Sequence, residues 1–219
     1  MSFDRLIDAI RQKQNPTVAG LDPKLEYIPD CLVQEAFEEH GETLEGAAAA
    51  VLAYNRGLID ALADIVPAVK PQAAYYERFG WPGMRALAQT IEYARQKGMY
   101  VITDGKRNDI GSTMEAYAAA HLGRVKVGSR GYRAFSGDAL TVNGYLGTDG
   151  IKPLLDICAK EDAGIFVLLG GIVWLLLLNF SISAPYEYSF VGYVVDSKLV
   201  TIQTFQYLPH MNIVLWDMW

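Results

Sequence analysis

Asp104, Lys106 and Asp109 stand in the stretch MYVITDGKRNDIGST, where a run of β-forming apolar residues gives way to charge. An unpaired charge in a buried strand is costly, so two acids and a base at this place need a reason. Side chains of a strand alternate between its faces, so Asp104 and Lys106, two apart, project together. Asp109 follows three residues later, past the predicted strand end, where the loop can swing it back toward the same pocket. Lys70 ends an earlier predicted strand, PAVK, and Asp22 ends the first, in AGLD. If these strands run parallel, four strand ends deliver Asp22, Lys70, Asp104 with Lys106, and Asn143 to one mouth. In an alternating Lys-Asp-Lys-Asp array each ammonium holds its neighbouring acids ionised, and each acid keeps its lysine protonated. Such an array can present an ammonium as proton donor to a developing carbanion. It also holds a carboxylate near the place of an anionic substrate group.

Two plainer readings compete with that one. DxKxxD on its own can be a solvated strand-to-helix loop with Asp109 capping the next helix. Carboxylates at strand ends can also hold Mg²⁺, although two lysines among them already neutralise the site. Lys70 and Asp22 at the ends of other strands favour the chemical reading, without a metal.

The elements that must position these groups alternate. SFDRLIDAIRQKQ reads as a helix, TVAGLDP as a short strand ending in a turn, and LEGAAAAVLAYNRGLIDALADI as a helix with apolar residues at 3.6 spacing. VPAVKPQAAYYE reads as a strand leading into a loop, and WPGMRALAQTIEYARQKG as a helix stopped by Gly98. MYVITDGK, DIGSTMEAYAAAHLG, ALTVNGYLG, IKPLLDICAKED and AGIFVLL continue as strand, helix, strand with its loop, helix and strand. Alternating β and α units predict an α/β fold with a parallel sheet, either doubly wound or a (β/α)8 TIM-type barrel. Both place polar groups just after the strands. With no GxGxxG after the first strand and no GxxxxGK[ST], a nucleotide-binding doubly wound domain is disfavoured.

A net charge of -6 and a pI near 5.1 give no basic surface and argue against nucleic acid as a partner. Cys31 and Cys158 have no metal or CxxC spacing and are expected to be buried, reduced thiols. His40, His121 and His210 form no catalytic or ligating cluster and are expected to be structural or surface residues. The N-terminal helix lacks an apolar signal region, and the expected compartment is the cytoplasm.

Two unlike parts are expected. Residues 1–169 form the βα portion, and 170–219 an apolar, strand-prone tail whose only charges are Glu187, Asp196, Lys198 and Asp217. The uncharged run from Ala163 to Pro185 is long enough for a membrane span of about 20 residues. Without basic flanks, and after a βα domain, a buried barrel strand and a further core segment are the expected reading.

The blocks AGLDP, VKPQAAYYE, DGKRNDIGST and ALTVNGYLG, in that order, resemble the orotidine 5'-phosphate decarboxylase family, specifically its bacterial branch with the KPQ strand. The resemblance covers about residues 1–169. It implies a TIM-type barrel, a homodimer, a small-molecule nucleotide substrate, and neither metal nor organic cofactor. By match, Lys106 is implied as the acid that protonates C6 of the pyrimidine as carbon dioxide leaves. Asp104 is implied as the carboxylate set against the substrate's own, Lys70 as the lysine completing the charge network, and Asp22 as the acid binding a ribose hydroxyl. Asp109 and Thr113 match positions supplied across the dimer interface, and Asn143 matches a polar contact to the pyrimidine.

The tail departs from that pattern. The family's phosphate site lies late in the barrel, on a Gly-rich turn with an arginine, yet no arginine follows Arg133 here. A complete barrel takes about 250 residues, so an incomplete or altered one is expected after the fifth strand. Two alternatives stay open: a non-catalytic truncated or fused barrel fragment, or another DxKxxD phosphosugar decarboxylase, which is expected to want Mg²⁺.

Overall fold

The structure is a computed structural model. It describes residues 2–168 and, beyond them, the strand backbone at 191–195, 198–202, 205–208 and 213–216.

The chain opens with helix α1 (Ser2–Lys13), strand β1 (Val18–Leu21), a 3-10 turn (Leu25–Tyr27) and helices α2 (Asp30–His40) and α3 (Leu44–Leu62). Strand β2 (Ala68–Pro71), a single turn α4 (Ala74–Glu77) and helix α5 (Gly80–Gln96) follow. Then come β3 (Tyr100–Arg107), α6 (Gly111–His121), a small hairpin β4 (Val125–Val127) and β5 (Arg130–Tyr132), β6 (Ala139–Asn143), α7 (Thr148–Glu161) and β7 (Gly164–Leu168). Strands β1, β2, β3, β6 and β7 pair in that order, all parallel. This is the five-stranded part of a βα barrel that the alternating pattern predicts, with the helices outside it.

Three apolar layers hold it together. Between sheet and helices α3 and α5 lie Val51, Ile59, Val69, Leu87, Ile91 and Val101, all fully buried. Met114, Leu122, Leu140 and Leu154 fill the matching layer under α6 and α7. Inside the barrel curve, Val18, Ala68, Tyr100, Ile102, Ala139 and Phe166 meet Leu6, Phe3 and Ile10 of α1. Spacing of three and four along α1 puts those residues on one face, so the helix plugs the bottom of the barrel. Phe3 meets Phe166 edge-on at 5.3 Å. A Cβ at Gly164 would stand 2.7 Å from the Phe3 ring, so a larger residue at the start of β7 would have to push that ring aside. β1 and β2 are buried at every position because both faces are covered, which is why they read as apolar runs without alternation.

Local signals agree with these bounds. Thr43 caps α3 by accepting from the Gly46 N–H at 3.2 Å. Gly98, at φ +78°, ends α5 in the left-handed conformation that glycine adopts without strain. The segment after β2 forms the turn α4, not a loop, since Glu77, Arg78 and Phe79 bond back to Ala73, Ala74 and Tyr76. Sequence reading passed over α2, which fully buries only Ala36 and so has a weak apolar stripe. It also missed the β4–β5 hairpin, exposed at every position and without alternation. Cys31 is exposed on α2 and not buried as expected; Cys158 is half-buried, and both thiols are free.

The tail contributes β8 (Val191–Val195), β9 (Lys198–Ile202), β10 (Phe205–Leu208) and β11 (Ile213–Trp216). β8 pairs antiparallel with β7, and β9 with β8; β11 pairs antiparallel with β1, and β10 with β11. Antiparallel hairpins thus cover both edges of the five-stranded parallel sheet, where a full barrel would continue it. Among the described residues β9 and β10 do not pair, so the sheet stays open. Most of the uncharged run Ala163–Pro185 lies outside the described residues. No helix among those described is long and apolar enough to cross a membrane.

Candidate active site

Asp22, Lys70, Asp104 and Lys106 stand at or just past the C-terminal ends of parallel strands. Lys70 on β2 and Asp104 on β3 are both buried, at 5% and 3% exposure. Lys70 Nζ donates to Asp104 Oδ2 at 2.5 Å, and Lys106 Nζ donates to Asp104 Oδ1 at 2.7 Å. Two further donors finish the arrangement. Gln72 Nε2 donates to Oδ2 at 3.1 Å, and the Thr141 hydroxyl to Oδ1 at 2.8 Å. Each carboxylate oxygen accepts two hydrogen bonds, which fills its usual capacity. Asp104 is therefore fixed in place and orientation.

The backbone of β3 yields to make this possible. Its register against β6 runs Thr103↔Leu140 and then Arg107↔Val142, so a bulge carries Asp104 to Lys106 past Thr141. Lys106 sits at φ +46°, in the left-handed region that costs a side-chain-bearing residue on the order of 1–2 kcal/mol. Such strain persists only where surrounding contacts enforce it. Lys106 is half exposed, with its ammonium reaching from the mouth back to Asp104.

Burial pushes the Asp104 carboxyl up, but Lys70 and Lys106 outweigh it and hold the group below its ordinary 3.8. The acid stays ionised. Asp22, just past β1, shows the opposite balance. Burial, reinforced by the Asp104 charge, raises it above 3.8 against the pull of Lys70 and Lys106. Its Oδ1 is buried with no hydrogen-bond partner among the described residues, an acceptor left open there. That suits a ligand hydroxyl.

The remaining predicted residues bond locally or face solvent. Asp109 does not swing back: its Oδ1 accepts from the Ile110 N–H at 2.8 Å, and no side-chain bond caps α6. Thr113 is exposed on the first turn of α6. Asn143 is exposed at the end of β6 and accepts the Tyr145 N–H at 2.9 Å, closing its own turn. Gln72 and Thr141 were not among the predicted site residues. Both were within reach of the alternation that paired Asp104 with Lys106, since Gln72 lies two after Lys70 and Thr141 two before Asn143. Among the described residues no group of three or more His, Cys, Asp or Glu is gathered as a metal site.

Residues 51–170, more than half of the chain, match the model of the family described as orotidine 5'-phosphate decarboxylase / HUMPS. The chain belongs to that family. Among curated relatives, the orotidine 5'-phosphate decarboxylase of Caldicellulosiruptor saccharolyticus is 40% identical over 166 residues, covering 76% of this chain and 54% of the relative. That of Rhodopirellula baltica is 45% identical over 161 residues, covering 74% and 51%. The chain thus spans about half the length of the curated relatives it matches. A Streptomyces avermitilis crystal structure assigned as orotidine 5'-phosphate decarboxylase superposes with a TM-score of 0.59 at 34% identity, over 75% of this chain and 51% of that one. The Leishmania donovani OMP decarboxylase structure, at 24% identity and a TM-score of 0.56, shows the same fold over 84% of this chain and 60% of its own. The match to the family model ends at residue 170, close to the end of the last parallel strand, β7.

Proposed function

We propose that this chain carries the charge network of an orotidine 5'-phosphate decarboxylase and converts orotidine 5'-phosphate to UMP without a cofactor. The observation that carries the reading is Asp104 held between two ammonium groups at strand ends, 2.5 Å from Lys70 and 2.7 Å from Lys106. The bond from C6 of the pyrimidine to its carboxylate breaks, carbon dioxide departs, and the electron pair stays on C6. The Lys106 ammonium then gives its proton to that carbon and becomes an amine. No electron sink is available, so stabilisation of the carbanion is electrostatic, from the Lys106 cation that Asp104 holds at the mouth. Asp104 faces the substrate carboxylate and opposes it more in the ground state than after carbon dioxide has left. Lys70 keeps Asp104 ionised and reaches the ribose, and Asp22 accepts a ribose hydroxyl. Asn143 supplies a polar contact to the pyrimidine.

The working unit in this reading is a cytoplasmic homodimer in which Asp109 and Thr113 serve the neighbouring subunit's site. The local bond of Asp109 to the Ile110 N–H and the exposure of Thr113 on α6 are compatible with that assignment. Residues 1–169 carry the chemistry, and the tail covers the sheet edges. Binding energy from the substrate phosphate drives much of such a reaction, so the half-length relation to the relatives favours one other reading, a barrel fragment with the charge network but little turnover.

Loss of orotidine 5'-phosphate absorbance with purified protein, with and without EDTA, separates the readings. Turnover indifferent to EDTA supports the proposal. Absence of turnover in folded dimer overturns it in favour of the fragment. Turnover abolished by EDTA points to a Mg²⁺-dependent phosphosugar-type site, against which Asp104 already stands with both oxygens filled by donors.

A further inference from the structure

We infer that Thr141 is the positioning residue that sets the geometry of Lys106, acting as a clamp between that residue's backbone and its carboxylate partner. This rests on the reading of Lys106 as the proton donor. Thr141 lies on β6 opposite the bulge in β3 and is buried, at 4% exposure. Its hydroxyl accepts the Lys106 N–H at 3.0 Å and donates its own hydrogen to Asp104 Oδ1 at 2.8 Å. The same Oδ1 receives the Lys106 ammonium at 2.7 Å. One hydroxyl therefore touches both ends of the Asp104–Gly105–Lys106 loop and closes it into a ring.

The ring answers two questions that the charges leave open. Lys106 at φ +46° is off the extended path of its strand, and a backbone in that region returns to it unless something holds it. The ladder hydrogen bonds that would hold a strand are interrupted between Thr103 and Arg107, and the Thr141 hydroxyl supplies a fixed acceptor there. Nor does an ion pair alone aim a half-exposed ammonium on four rotatable bonds. With Oδ1 pinned by Thr141 and Oδ2 by Lys70 and Gln72, the ammonium has one fixed oxygen to return to. Valine copies the shape of threonine but can neither accept nor donate, so it opens the ring and keeps the packing.

The test compares Thr141→Val, Thr141→Ser and the parent, as full chains. Turnover of orotidine 5'-phosphate gives kcat and KM, and the rate of reductive methylation of Lys106 in the unliganded protein is read by mass spectrometry. Expected for Thr141→Val is a kcat lower by roughly 10²-fold, the order that a misplaced reacting group costs. KM stays near the parent's, and Lys106 is labelled several times faster as its ammonium leaves Asp104. Thr141→Ser, which keeps the hydroxyl, restores both quantities. Parental kcat and labelling in Thr141→Val overturn the inference, as does a loss confined to KM, or a serine variant as impaired as the valine. Should Thr141→Val not fold, Thr141→Ala against Thr141→Ser decides in the same terms. A parent without turnover sinks the proposed function alone, while the labelling rates still decide the clamp.

Discussion

Lys70 Nζ and Asp104 Oδ2 lie 2.5 Å apart, both side chains almost wholly buried. Taking two charges out of water costs more than their attraction alone returns, so such a pair survives by having its other valences filled. Here Gln72, Thr141 and Lys106 fill them. Removing Asp104 strands the buried Lys70 ammonium, and removing Lys70 leaves the buried carboxylate with the half-exposed Lys106 as its counter-charge. Lys70→Ala is therefore expected to destabilise the protein by about 3 kcal/mol or more, as broken buried pairs do. Lys70→Ala/Asp104→Ala is expected to lose less than the two single losses together, because no orphan charge remains. Urea unfolding of the four proteins checks this, and strict additivity would contradict it.

Lys106 is a contrasting case. Its side chain is half exposed, and Lys106→Ala leaves the buried Asp104 still paired with Lys70, so thermal unfolding is expected to stay near the parent's. Turnover is expected to fall by about 10³-fold or more, at the upper part of what one proton donor contributes. A variant as fast as its parent rules out the mechanism.

Asp22 should show a conflict between stability and binding. Burial raises its carboxyl, so its charge is costly in the folded state, and it gives stability back as pH falls through the raised value toward 3.8. Asp22→Asn is expected to raise the melting temperature at pH 7 and to raise KM for the nucleotide. A variant less stable than the parent at neutral pH contradicts the assignment of Asp22 as a strained acceptor.

His121 gives a pH signature away from the site. It is buried between Phe135, stacked at 5.0 Å, and Tyr117 at 6.5 Å. Burial, with the Arg107 charge, pushes it down to about 4 from an ordinary 6.5. Between those values the unfolded chain binds a proton that the folded chain refuses. Stability is then full above pH 6.5 and falls as pH drops to about 4, by on the order of 3 kcal/mol. Asp104 adds a separate loss lower down, below pH 3.8, as its depressed carboxyl is finally protonated. Denaturant titrations across pH 3 to 7 should show the upper slope in the parent and not in His121→Phe; an unchanged slope in that variant assigns it elsewhere.

Asp109 and Thr113 make the dimer testable without a structure of it. Asp109→Ala and Lys106→Ala are each expected to be inactive alone. Mixed and allowed to exchange subunits, they are expected to regain activity, because one site of each hybrid then has both residues intact. Mixtures that stay inactive after verified exchange would place Asp109 in its own chain's function.

Apart from α2, the turn α4 and the β4–β5 hairpin, the sequence alone was enough to determine the alternation of elements through β7, and with it the parallel strands and the strand ends that carry Lys70, Asp104 and Lys106. Those properties are local: helix periodicity, a glycine stop at Gly98, and side chains two apart sharing a face. Asp22 was legible for the same reason. What tertiary structure decided was every partnership across strands. The bulge opposite Thr141, the left-handed Lys106 and the four donors on Asp104 depend on the register of β3 against β6 and β2, which no short stretch of residues contains. The local bonds of Asn143 to Tyr145 and of Asp109 to Ile110 are likewise outcomes of chain geometry, invisible to spacing. The tail makes the same division. Its β-forming, nearly uncharged composition announced strands, while their antiparallel placement on β1 and β7 follows from the two edges that a parallel sheet of five strands leaves unpaired.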